Sequence, residues 1–77
     1  MNYIQYIDID RLHIDHDHQQ ENAEVEKLAK TWNWCAIRTL IVHKPDDYYV
    51  VDGRRRLLAA RRRGDIVKLP CIILNNL

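Results

Sequence analysis

The chain has 77 residues with a net charge of +1, and its length allows one small domain over residues 1–77. The sequence contains no apolar run long enough to span a membrane. Its start, MNYIQYIDID, lacks the basic and apolar parts of a signal peptide. Cys35 and Cys71 belong to no CxxC pair, so we expect two free thiols and a cytoplasmic protein.

Charge is distributed unevenly along the chain. Residues 1–36 carry seven acidic and three basic residues, whereas residues 53–77 carry seven basic residues and one acid. The basic part should attract phosphates or an acidic partner surface, while the acidic part limits indiscriminate binding to nucleic acid.

The first half of the chain predicts a strand followed by a helix. In residues 3–12, YIQYIDIDRL, Ile7 and Ile9 alternate with aspartates, which is the two-residue period of a half-buried strand. The polar residues 13–20 predict a loop. Apolar side chains at helical spacing then predict an amphipathic helix over residues 22–32.

The middle of the chain predicts a β-hairpin. Residues 37–43 and 48–51 are rich in β-branched and aromatic side chains, and the turn-forming sequence Lys-Pro-Asp-Asp separates them. Tyr48 and Tyr49 should point to opposite faces of their strand, one into the core and one into solvent.

The last third predicts a helix and a final strand. Residues 54–63 are good helix formers, and Gly64 suits the left-handed position that closes a helix. Residues 67–74 predict a strand, which Pro70 should confine to a sheet edge or a bulge. The resulting order, β-α-β-β-α-β, predicts an α/β (α+β) fold with a small mixed sheet and two helices.

Six arginines fall within the ten residues of the second helix. On a helical wheel, Arg55, Arg56, Arg62 and Arg63 share one side with Ala59, and the leucines face the sheet. Like charges on adjacent turns repel each other, so an anion is expected to offset them. The alternative is a solvated helix whose arginines pair with the acidic first helix.

Gly53 stands where a strand turns into this helix. A helix N-terminus presents unpaired N–H groups and a partial positive charge, which suits a phosphate. Glycine allows a close approach, and arginine forks match phosphate oxygens. The predicted phosphate-binding residues are Gly53, Arg54, Arg55, Arg56, Arg62 and Arg63.

The segment YYVVDGRRRLLAARRRGDIVKLPCIIL resembles the ParB/sulfiredoxin-like superfamily, also called the ParB-like nuclease domain. The family pattern is a strand ending in Asp-Gly, a nearby arginine, an Ala-rich helix, a glycine and a strand with a proline. The matching residues are Asp52-Gly53, Arg54-Arg55-Arg56, Ala59-Ala60, Gly64 and Leu69-Pro70-Cys71. The pattern is most similar to small phage or mobile-element members.

The resemblance implies that Gly53, Arg55 and Arg56 contact phosphate, with CTP or ATP and Mg²⁺ as candidate ligands. Family members use this segment for CTP binding, ATP-dependent reactions or DNA cleavage. Arg54 departs from the pattern, because partitioning proteins carry a glutamate there and sulfiredoxins carry their reactive cysteine. The departure argues against sulfiredoxin chemistry and puts nucleotide hydrolysis in doubt.

Two further features bear on catalysis. His16, Asp17 and His18 are competent metal ligands, and a metal there could activate water, although the alternative is an ordinary polar loop. In a nuclease, Asp52 and His16 would be the catalytic residues. The alternative role of Asp52 is to cap the following helix.

We therefore favour a domain that binds the phosphate of nucleic acid or a nucleotide, without strong catalysis. One alternative is a phage-type module that docks on an acidic host protein surface and inhibits a nucleic-acid-handling complex. Another is a weak metal-dependent nuclease. A small core and an exposed sheet edge also make a homodimer an expectation.

Overall fold

The computed structural model describes residues 4–15, 23–43 and 47–74. Within these ranges the chain forms five strands, two α-helices and a short 3₁₀ turn. They are β1 (Ile4–Asp8), the 3₁₀ turn (Ile9–Arg11), β2 (Leu12–His13), α1 (Ala23–Lys30), β3 (Leu40–His43), β4 (Tyr48–Asp52), α2 (Arg54–Arg63) and β5 (Lys68–Leu74). The predicted α/β fold with a mixed sheet and two helices is confirmed.

The five strands form one sheet in the order β1-β5-β3-β4-β2. β1 pairs with β5 and β3 pairs with β4 in antiparallel fashion, whereas β3 pairs with β5 and β2 pairs with β4 in parallel. The predicted hairpin is therefore present as β3 and β4.

The single strand predicted over residues 3–12 is wrong, because the chain turns at Ile9–Arg11. The Ile9 N–H donates to the Val67 carbonyl at 2.9 Å, in the same register as the β1–β5 pairs, and the chain then turns away from β5. The segments on either side become the two opposite ends of the strand order. Since four residue steps reach at most about 14 Å, the sheet must curl so that its two ends approach each other.

The edge or bulge position predicted for the last strand is also wrong, because β5 lies between β1 and β3. Pro70 is opposite Tyr6 of β1, while the pairing with β3 starts one residue later, at Cys71 opposite Leu40. The proline, which has no N–H to donate, thus stands where β5 has a paired neighbour on only one side.

The segment between α1 and β3 is a turn rather than helix and strand. Its centre is Asn33, whose carbonyl accepts the N–H of Ala36 and Ile37 at 2.9 and 3.1 Å, and whose side chain accepts the N–H of Cys35. The predicted helix over 22–32 therefore ends at Lys30, and the predicted strand over 37–43 begins at Leu40.

The core lies between the helices and one face of the sheet. Leu12, Leu40, Leu57 and Leu69 are among its fully buried side chains. Alternate residues of each strand point away from the helices, so the other sheet face is open. Tyr48 is buried and its neighbour Tyr49 is exposed, as predicted.

Both cysteines are free thiols, as predicted; Cys35 is exposed and Cys71 is fully buried. Burial raises the pKa of Cys71 from 9.0 to about 11. The unfolded chain therefore loses this proton at lower pH than the folded chain does. The resulting contribution to stability is complete below about pH 9 and is lost as the pH rises towards 11.

We expect the free energy of unfolding to fall more steeply above about pH 9 in the native chain than in a Cys71→Ala variant. Urea titrations at a series of alkaline pH values measure the two slopes. Cys35→Ala is the matched control, because it removes the exposed thiol and leaves the buried one in place. Identical slopes in all three proteins would contradict the prediction.

Candidate functional site

The turn between β4 and α2 depends on Gly53. Its φ is +97° and its ψ is 21°, a left-handed conformation that favours glycine. A Cβ at this position would lie 2.9 Å from Leu40 Cγ and 2.9 Å from Arg56 Nη1. The glycine is therefore required by the backbone and by close packing on β3, whether or not a ligand approaches it.

The helix that follows opens with a positive N-terminus. The Gly53 carbonyl accepts the N–H of Arg56 at 3.0 Å and of Leu57 at 3.2 Å. The N–H groups of Arg54 and Arg55 have no acceptor within the helix, as in any helical first turn. No acidic residue lies within this turn, although Asp52 directly precedes the N-cap residue.

The arginines of α2 do not form the single basic face predicted from the helical wheel. Leu57, Leu58, Ala59 and Ala60 are all buried, although the wheel places Ala59 on the basic side. Four consecutive buried residues occupy the whole circumference of a helix, so apolar neighbours surround the middle of α2. The arginines therefore separate into two triplets, one at each end of the helix.

Three arginines bind backbone carbonyl groups of other elements. Arg56 donates to the Thr39 carbonyl at 3.0 Å, just before β3. Arg61 donates to the Leu12 carbonyl of β2 at 2.8 Å, and Arg63 donates to the Ala29 carbonyl of α1 at 2.8 Å. These side chains attach α2 to the sheet and to the first helix, which is a structural role.

Two further arginines pair with the acidic first helix, as the alternative interpretation anticipated. Arg55 forms an ion pair with Glu24, and Arg62 approaches Glu26 at 3.8 Å. The side chains of the first pair are 66% and 64% exposed. Because exposed ion pairs contribute only about 0–1 kcal/mol, an anion could displace Glu24 at small cost.

Arg54 differs from the other five arginines of the helix. It forms no hydrogen bond or ion pair with any residue in the described ranges, and its Nε is buried without a partner. It is the first residue of α2 and is half-buried beside the free N–H groups. The residue that departs from the family pattern is thus the one whose guanidinium binds no described residue, although its Nε is enclosed by protein.

The six predicted phosphate-binding residues are not brought into one cluster. Gly53 to Arg56 lie at the start of α2, whereas Arg62 lies eight residues after Arg54, about 12 Å along the helix axis, with Arg63 next to it. Arg63 also binds Asp65 through both of its carboxylate oxygens, at 3.0 Å each. These hydrogen bonds hold the pKa of Asp65 below its ordinary value.

The residues considered for catalysis and metal binding have little support. Asp52 is exposed at the end of β4 and makes no capping hydrogen bond, since Gly53 is the N-cap, so the predicted capping role is wrong. His16, Asp17 and His18 lie outside the described residues. Within residues 4–15, 23–43 and 47–74, no three metal-ligating side chains come together.

Two features of the structure escaped the sequence analysis. His13 Nε2 lies 2.7 Å from the Asp47 carboxylate, a pair that joins β2 to the start of β4. Trp34 and Tyr6 line an open groove, although they are far apart in the chain. Only tertiary structure brings these residues together, so no local pattern could have shown them.

Neither described helix is long and apolar enough to cross a bilayer.

No family model matches the sequence, and no curated protein matches it. Solved structures do resemble the fold. The chromosome-partitioning protein ParB from Caulobacter crescentus, C-terminally truncated and complexed with CTP-γ-S, gives a TM-score of 0.78 at 22% identity, covering 97% of this chain and 46% of that chain. Sulfiredoxin from Arabidopsis thaliana gives a TM-score of 0.76 at 18% identity, covering 96% of this chain and 86% of that chain.

The same Caulobacter protein complexed to the centromeric parS site gives a TM-score of 0.67 at 20% identity, covering 92% of this chain and 38% of that chain. These similarities show the fold: the chain has the ParB/sulfiredoxin-like fold that the sequence pattern implied. The chain spans less than half the length of these ParB chains and corresponds to most of the sulfiredoxin chain.

Replacing Gly53 by alanine should lower the free energy of unfolding by about 2–3 kcal/mol, because a Cβ adds steric overlap to an unfavourable backbone conformation. Gly64→Ala is the matched control. Gly64 also has a positive φ, +80°, but no atom lies within 4 Å of its Cβ position. We expect this variant to lose only about 1 kcal/mol. Urea denaturation measures the free energy of unfolding of both variants. An equal loss of this free energy in the two variants would contradict the packing role of Gly53.

Proposed function

We propose that the turn from Gly53 to Arg56 binds the phosphate of a nucleotide or a nucleic acid. The observation that carries this proposal is the unpartnered Arg54 beside the N–H groups that open α2. Guanidinium groups and helix N-termini are both suited to phosphate oxygens, and together they provide several donors on one side of an anion.

The positions of the neighbouring arginines support this proposal. Arg56 is held by the Thr39 carbonyl, so its charge lies near the turn without rearrangement. Arg55 is paired with Glu24 on the surface and would change partner when a phosphate arrives. In this proposal, Arg54 makes the primary contact and Arg55 the second contact.

The fold supports a nucleotide as one candidate ligand. The ParB structure with TM-score 0.78 contains CTP-γ-S, and a second ParB structure of the same fold contains parS DNA. CTP is therefore the nucleotide to test first, and ATP and added Mg²⁺ are further candidates from the sequence resemblance. Duplex DNA is the other candidate, because a polyanion could also reach Arg62 at the far end of the helix.

The nuclease alternative gains no support from a described feature. Docking on an acidic protein surface has one supporting observation, since Arg55 and Arg62 are exposed along the same helix. It differs from phosphate binding because it requires neither the unpartnered Arg54 side chain nor the free N–H groups that open α2.

We expect Arg54→Ala to weaken binding of CTP, ATP or a short DNA duplex by about 10- to 100-fold, because a charge-assisted hydrogen bond is worth about 1.5–3 kcal/mol. Isothermal titration calorimetry at two salt concentrations measures this effect. Arg62→Ala is the matched control, since it removes the same charge from the other end of the same helix.

The control also distinguishes the ligands. For a nucleotide, Arg62→Ala should leave the affinity nearly unchanged; for DNA, it should weaken binding less than Arg54→Ala and reduce the salt dependence. Equal effects of both variants on every ligand would indicate non-specific attraction by charge. No binding of any of the three ligands by the native chain would overturn the proposal and favour a protein partner.

A further inference from the structure

A second surface of the molecule lies away from the arginines, beside strand β1. Ile4, Tyr6, Trp34 and Val67 are each more than half exposed, and all four line one groove of about 610 Å³ that Ile37 and Pro70 also line. We call these four residues the edge patch. Contiguous apolar surface of this kind is uncommon on monomers and marks sites of association.

The edge patch adjoins a sheet edge, β1, whose one charged side chain is Asp8. Among the described residues, β1 lies at one end of the strand order and is paired with β5 alone, in a continuous register. Its sequence, IQYID, contains neither the lysine nor the proline that commonly blocks an edge strand. Its outer N–H and C=O groups are therefore a template for another strand.

The charges at the groove do not select a charged partner. Asp65 and Lys68 are the charged residues among its lining. Asp65 is bound by Arg63 at 3.0 Å, and Lys68 lies 3.9 Å from Asp8 on β1. Because each charge has an opposite charge beside it, two copies of this surface can approach each other without strong like-charge repulsion.

The side chains of β1 also complement a second copy of themselves. In an antiparallel pair with a two-fold axis at Gln5, Ile4 of each chain is opposite Tyr6 of the other chain. This arrangement gives two pairs of an aromatic with a β-branched side chain, which stabilise antiparallel strands. A two-fold axis at Tyr6 would instead place Ile4 opposite Asp8, so the Gln5 register is favoured.

We propose that a second copy of this chain covers the edge patch, through antiparallel pairing of the two β1 strands about Gln5. The two sheets then form one continuous sheet, and the aromatic side chains of each copy close the groove of the other. A standard interface covers about 800 Å² on each partner, roughly one seventh of the 5471 Å² that this chain exposes. The proposal is independent of phosphate binding.

Sedimentation equilibrium between about 10 and 500 µM chain tests this proposal. The average mass measured for the native chain should rise with concentration from 9.2 kDa towards twice that value. Tyr6→Lys should weaken the dimer at least about tenfold, because it removes the aromatic side chain from each cross-strand pair and places a charge opposite Ile4. Ile4→Lys should act in the same direction and serves as the second variant if Tyr6→Lys does not fold.

Tyr49→Lys is the matched control, since Tyr49 is an exposed tyrosine on the same open sheet face but on an inner strand. It should leave the dimer unchanged, and circular dichroism should show all variants folded. A native chain that stays monomeric at the highest concentration would overturn the proposal. Weakening of the dimer by Tyr49→Lys to the same extent as by Tyr6→Lys would also overturn it. The same holds for a chain that stays monomeric while its groove binds the apolar dye anilinonaphthalene sulfonate.

Discussion

The burial of four consecutive residues in the middle of α2 is the constraint on which the arrangement of charge depends. Leu57 to Ala60 are enclosed on every side, so no arginine can stand among them. The charged residues of the helix are consequently confined to its two ends. At the first end Arg54 contacts no described residue, and Arg56 binds the Thr39 carbonyl. At the other end Arg61 and Arg63 bind carbonyl groups of β2 and α1. The two ends of this arginine-rich helix therefore differ in the contacts that their arginines make.

The candidate site and the stability of the fold share residues. Gly53 packs on Leu40, and the Arg56 guanidinium both touches this turn and binds the Thr39 carbonyl. The turn is therefore built before any ligand binds, and little conformational entropy remains to be lost in forming it. This sharing also means that loss of binding in a Gly53 variant would not separate a binding role from a folding role. Arg54, which is bound to no described side chain, is the residue that separates them.

Local patterns in the sequence predicted the parts of the fold that local forces determine. The bounds of α2, the left-handed Gly64 and the β3–β4 hairpin all follow from propensity, spacing and turn chemistry. The parts that failed depend on distant residues. The segment over residues 3–12 divides at Ile9–Arg11 because its second part pairs with β4, far along the chain, and β5 tolerates Pro70 because of where β3 begins.

The same distinction applies to the site. The sequence indicated an arginine-rich turn at Gly53, but it could not tell which arginines already have partners within the protein. Glu24, Thr39 and Leu12 supply those partners, and each is more than 15 residues from the arginine it contacts. A helical wheel assumes that a helix packs against the protein on one side only. That assumption fails for a short helix whose middle residues are buried on all sides.

The 3₁₀ turn at Ile9–Arg11 has a consequence for how the molecule assembles. The ten residues from Ile4 to His13 supply both outer strands of the sheet, and their partners lie at residues 48–49 and 68–72. No local hairpin can therefore complete the sheet, and its margins close only after most of the chain is in place. Such high contact order slows folding. Detachment of this N-terminal segment would also expose the edges of both β4 and β5, because the segment pairs with both strands.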